Sequence, residues 1–130
     1  MIHLDTNYLI RGLISGTPEA IQLTQWCEKR EPMATSSLVW CEFVTGPITH
    51  EEIELAWTII EKNVIAFTHE DSLLAAKIFN HLGRPRGKRI DIMIAATALT
   101  HEATLATANT KDFQPIAPLG LSLFSNHITD

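Results

Sequence analysis

The chain has little cysteine, no long apolar run and no surplus of positive charge, and each shortage closes off a class of protein. Cys27 and Cys41 are too few, and sit among neighbours too apolar, to read as a disulfide framework. No apolar stretch approaches the roughly 18 residues a membrane span needs. The first residues also lack the basic, apolar and small-residue zones of a signal peptide, so the cytoplasm is the expected compartment. A net charge of −5 argues against a protein that coats nucleic acid by charge alone. His3, His50, His69, His81, His101 and His127 show no zinc-ligand spacing and read as ordinary surface or core residues. Repeats, linkers and low-complexity segments are missing too. The 130 residues therefore make one domain, 1–130, long enough to bury a real core.

What is there is a regular alternation of short elements. Residues 2–4 read as a buried strand ending at Asp5, followed by a helix over 6–13 capped by Asp5 or Thr6. Thr17 with Pro18 opens a helix to about residue 30 whose apolar positions include Ile21, Leu23, Trp26 and Cys27. A strand over 32–36 precedes a helix over 38–44, which Gly46 and Pro47 stop. Thr49 with Glu52 forms a capping-box pattern that starts a helix to about Lys62. A strand over 64–67 leads to a helix from Thr68 or Asp71 to about His81. After a loop over 83–88, a helix over 90–100 is apolar nearly all round and should be central. A fourth strand over 104–107 and an edge strand near 121–124 complete the pattern. Strands alternating with helices predict an α/β, three-layer domain with a short, mainly parallel sheet of about four to five strands.

Four acids stand out against this background. Asp5 closes the first apolar run, and Glu42 lies inside Leu38-Val-Trp-Cys-Glu-Phe-Val44. Asp91 breaks into Ile90-Asp-Ile-Met-Ile-Ala-Ala96, and Asp112 follows the fourth strand. Apolar flanks make an ionised carboxylate costly unless something compensates. Each acid has an ordinary explanation: a helix cap for Asp5, a thin solvated strip for Glu42, the helix dipole for Asp91, a turn for Asp112. Jointly they point to a shared partner, because ligands of such sheets collect at the carboxyl ends of strands. A hard divalent cation, Mg²⁺ or Mn²⁺, is the cheapest partner for clustered carboxylates.

The ordered set resembles the PIN-domain family. Ile2-His-Leu-Asp5-Thr-Asn7, the helical Glu42, Asp91 with Ile94-Ala-Ala-Thr-Ala98, and Leu105-Ala-Thr-Ala-Asn109-Thr-Lys-Asp112-Phe113 carry the resemblance along essentially the whole chain. Gly83-Arg-Pro before the Asp91 helix fits as well, and the likeness is greatest to VapC-type toxins of bacterial toxin–antitoxin pairs. The resemblance implies a PIN-like α/β/α fold and a metal-dependent endoribonuclease that leaves a 5′-phosphate and a 3′-hydroxyl. It implies that Asp5, Glu42 and Asp91 hold Mg²⁺ or Mn²⁺, that an antitoxin is the protein partner, and that the chain forms a homodimer. Position 109 is Asn where many relatives place Asp. Asp112 is then the fourth acid, while Asn109 remains able to meet a metal-held water. Thr6, Asn7 and Thr107 accompany the acids either as orienting groups or as plain helix-start and strand-end residues.

Other features are weighed beside this. Arg84, Arg86, Lys88 and Arg89 put four of the ten basic residues within six positions. They read as RNA or antitoxin contacts, or as a solvated loop. Cys41 reads as a buried structural thiol and not a nucleophile. Trp26, Trp40 and Trp57 read as core. Two competing functions remain: a catalytically silent PIN-like binding module, and a CheY-like receiver. The receiver would need a phosphoacceptor Asp after the third strand, where Thr68-His-Glu-Asp71 fits poorly.

Overall fold

The computed structural model describes residues 1–126, so His127 and the last residues of the expected 1–130 domain lie outside it. β1 (Ile2–Leu4), β2 (Met33–Ser36), β3 (Val64–Ile65), β4 (Thr104–Ala106) and β5 (Ser122–Phe124) form one sheet. Its order is β3-β2-β1-β4-β5, and all neighbours are parallel. The helices are α1 (Thr6–Gly12), α2 (Pro18–Glu28), α3 (Ser37–Thr45), α4 (His50–Ile59), α5 (His69–His81) and α6 (Arg89–Thr100).

The three layers follow from strand alternation. Successive side chains of a strand face opposite ways. Leu105 accordingly joins a core with Ile78 of α5 and Ile92 of α6, while Ala106 joins another with Leu9 of α1, Leu23 of α2 and Ile60. The all-round apolar α6 is central as predicted, with Ile92 and Ile94, Ala95, Ala96, Thr97 and Ala98 buried. Gly12 lets α1 settle on α2, since a Cβ there would overlap the Leu23 side chain. Among the described residues, no helix is long and apolar enough to cross a membrane.

The helix starts obey the local chemistry. The Thr17 hydroxyl accepts from the Ala20 N–H, with Pro18 as the first helical residue. Thr49–Glu52 and Thr68–Asp71 are complete capping boxes. Asp71 also accepts from the Thr100 hydroxyl at 2.6 Å, which ties the start of α5 to the end of α6. Helix ends fall earlier than the apolar pattern suggests. α2 stops at Glu28 and α4 at Ile59 because Arg30, Glu61 and Lys62 take left-handed backbone angles. β3 covers only Val64–Ile65, and β4 ends at Ala106.

Several burial expectations are corrected. Cys41 and Cys27 are exposed. In α3 Val39 and Phe43, four residues apart, are fully buried and Leu38 and Trp40 pack partly buried beside the core, so apolar neighbours in sequence did not bury Cys41. Trp26 is core, but Trp40 is half-buried and Trp57 is exposed. Those two indoles pack on each other with centroids 5.4 Å apart, on the outside of α3 and α4. Ile21 is exposed as well.

Candidate active site

The strand order fixes where a site can form. The chain winds outward from β1 through β2 to β3, then returns to β4 on the other side of β1. Connections after β1 and β4 therefore diverge, and the gap at their carboxyl ends is the switch point where α/β sheets bind ligands. The receiver reading fails here, because β3 is an edge strand and its carboxyl end lies away from that gap.

Asp5 stands at this gap, directly after β1, and is buried. It occupies the N-cap position of α1 but makes no side-chain cap bond, which removes the ordinary explanation for it. Its Oδ2 accepts instead from the Thr107 hydroxyl at 2.9 Å, after β4. The same hydroxyl accepts the Asn109 N–H at 3.0 Å, and Asn7 Oδ1 accepts the Ala108 N–H at 3.1 Å. Asn7 and Thr107 thus lock the loop after β4 against the start of α1. Thr6 Oγ1 is buried and has no hydrogen-bond partner among the described residues. A buried hydroxyl in that condition calls for a ligand or water beside Asp5.

The electrostatics show which acids share this space. Burial pushes the Asp5 carboxyl up to about 6, against the Thr107 bond and the Thr6 backbone, and the charges of Asp91 and Glu42 raise it further. Asp91, in the first turn of α6, is half-buried. Desolvation lifts its carboxyl first, then Asp112, while Lys88 opposes and Glu42 adds to the rise. Four sequence-distant acids therefore feel one another.

They are not equivalent. Glu42 is exposed, on a side of α3 away from the buried Val39 and Phe43. Asp112 is spoken for on both oxygens: Oδ1 meets Lys88 Nζ at 2.8 Å, and Oδ2 accepts from Asn109 Nδ2 at 2.7 Å. Among the described residues, no three His, Cys, Asp or Glu side chains converge closely enough to grip a metal as they stand. The donor chemistry nevertheless suits a hard cation: carboxylate oxygens, two of them with raised pKa, beside an unpartnered hydroxyl.

Residues 2–117 match the PIN-domain family profile. The chain belongs to the PIN-domain family. No curated protein matches it significantly. Among solved structures, VapBC-1 of nontypeable Haemophilus influenzae is 25% identical with a TM-score of 0.69, covering 96% of this chain and 98% of that one. DNA-bound VapBC of Salmonella typhimurium is 22% identical with a TM-score of 0.72, covering 95% and 96%. A toxin–antitoxin complex of Klebsiella pneumoniae is 23% identical with a TM-score of 0.69, covering 99% and 100%.

In this PIN domain the basic loop does not act as one patch. Arg84 and Arg89 both lie over the Phe79 ring, 5.2 and 4.5 Å from its centroid. Arg84 also donates to Asn80 Oδ1 at 2.6 Å. Lys88 is turned to Asp112, and Arg86 is exposed. The four cations therefore divide between a structural stack, the acid cluster and solvent. Lys111, which no sequence pattern singles out, adds an exposed cation beside Asp112. Its one available signal was its place in Thr110-Lys-Asp112, next to a candidate acid.

Proposed function

We propose that this PIN domain is a Mg²⁺- or Mn²⁺-dependent endoribonuclease and the VapC-type toxin of a toxin–antitoxin pair. The observation that carries the reading is Asp5: a buried carboxylate at the switch point, excused from capping and near enough to Asp91 and Glu42 for their charges to raise its pKa. Toxin–antitoxin complexes among its structural relatives support the biological half of the proposal. The protein partner is then an antitoxin, the working form a homodimer, the compartment the cytoplasm, and the substrate an RNA such as a tRNA or mRNA.

Asp5, Asp91 and Glu42 would hold the cation, with Asp112 as fourth acid. A bound divalent ion activates water, neutralises phosphate charge and stabilises the leaving oxygen. The chain's own residues do the rest. Thr107 fixes the Asp5 carboxylate, and Asn7 fixes the loop that carries Thr107. Asn109 and Lys88 hold Asp112 while its neighbours are uncompensated. Water adds to the phosphorus, the bond to the 3′ oxygen breaks, and that oxygen takes up a proton. Exposed Arg86 is the loop cation free to meet a flanking phosphate.

The test is RNA cleavage that requires Mg²⁺ or Mn²⁺, stops with EDTA, and falls about 10²–10³-fold or more in Asp91→Asn. Expression without an antitoxin should arrest growth, and Asp91→Asn should relieve the arrest. A chain that leaves growth and a broad RNA panel untouched supports the second reading, a silent binding module. What favours that reading is the Lys88–Asp112 ion pair, which places a cation of the protein's own among the acids.

A further inference from the structure

Beside the acid cluster lies a cavity of about 210 Å³ between the end of α5, the start of α6 and the segment after β4. Leu82, Pro85, Ile92, Pro115 and Ile116 make its walls apolar. Lys88, Lys111 and Asp112 also line it. We infer that this cavity is a nucleobase subsite that seats one base of the RNA strand next to the cut. The inference rests on the nuclease reading for its place in catalysis, but its ligand chemistry stands on the cavity alone.

Three observations fix the occupant. The cavity is smaller than the roughly 300–1,000 Å³ that drug-sized ligands fill, so it takes one ring system and leaves sugar and phosphate outside. The apolar part of the lining offers proline rings and branched aliphatic chains, which suit the face of a base. Lys111 is exposed and Lys88 part-exposed, so both can reach a phosphate left outside. Lys88 already neutralises Asp112, at 2.8 Å, so Asp112 does not repel an anion as an unpaired carboxylate would. The cavity is continuous with the candidate active site, because Asp112 and Lys88 belong to both. A base seated in it therefore holds its strand in register with Asp91. Recognition by shape at one unpaired nucleotide also explains how a chain with net charge −5 selects RNA without a broad basic face.

The experiment titrates the full chain in Mg²⁺ with each of the four 5′-nucleoside monophosphates and with inorganic phosphate, observing isoleucine methyl resonances. Nucleotides should move the Ile92 and Ile116 methyls, one base more than the others, and phosphate should not. Leu82→Trp, which fills the cavity, and Lys111→Ala, an exposed change that leaves the core alone, should each weaken that binding about tenfold. In parallel, cleavage of a randomised RNA pool should show a preference at one nucleotide beside the cut that both substitutions flatten. Methyls that ignore nucleotides, or respond equally to phosphate, overturn the subsite. Metal-dependent cleavage with unmoved methyls overturns the subsite and leaves the nuclease standing. Nucleotide-specific methyl shifts without any cleavage keep the subsite and remove the nuclease.

Discussion

The two sides of the acid cluster are built differently. On the β1–β4 side, Asp5 is buried, bonded to Thr107 and fixed by a loop that Asn7 pins down. On the α3 side, Glu42 is exposed on a helix that buries Val39 and Phe43. One carboxylate is held in place at an electrostatic cost, and the other stands in solvent. The difference teaches that burial puts the electrostatic cost on Asp5 and, next, on half-buried Asp91, and not on solvent-exposed Glu42.

The largest effect that would break this comparison is on Asp5. Its folded pKa is raised, so the unfolded chain gives up the proton first as pH rises. Stability is complete below about pH 4, declines between 4 and 6, and stays reduced above. The span from 3.8 to about 6 corresponds to about 3 kcal/mol at most. In chelator at pH 7, Asp5→Asn should therefore be more stable than wild type by up to that amount, and urea unfolding at pH 4 should show the advantage gone. A pH-independent difference would mean that burial does not strain Asp5. Thr107→Val comes next. It removes the donor to Asp5 and orphans the Asn109 N–H, so it should cost about 1–3 kcal/mol at pH 7 and less at pH 4. Glu42→Gln is the smallest: within about 0.5 kcal/mol of wild type in chelator, as for an ordinary surface change. Calorimetric titration with Mn²⁺ should still show weaker binding in that variant. A large loss of stability in chelator would place Glu42 in the folded framework and not at the site.

These outcomes track what could be read in the sequence. Caps were legible because they are local: Thr17 with Pro18, and Thr49 with Glu52, need only their own turn. The central position of α6 was legible because apolar residues all round leave a helix no solvent face. Asp5 was legible as an acid at a strand end, and the parallel α/β/α plan followed from the alternation of elements. What sequence missed depended on three-dimensional neighbours. Apolar letters around Glu42 and Cys41 suggested burial, yet helical geometry turned both outward. Arg84, Arg86, Lys88 and Arg89 looked like one patch until Phe79 and Asp112 divided them. The Asn109–Asp112 bond was equally out of reach, since nothing in residues 109–112 says which side chain meets which.

The central place of β1 has a consequence for the order of events during synthesis. β1 is made before either of its neighbours β2 and β4, and the hydroxyl that orients Asp5 arrives 102 residues later. Contacts of such long sequence separation form late. A nascent chain ending before β4 already contains Asp5, Glu42 and Asp91 yet has no gap between β1 and β4 to gather them. The gap exists only once β4 and Thr107 have been made, so any activity that depends on it waits for that strand.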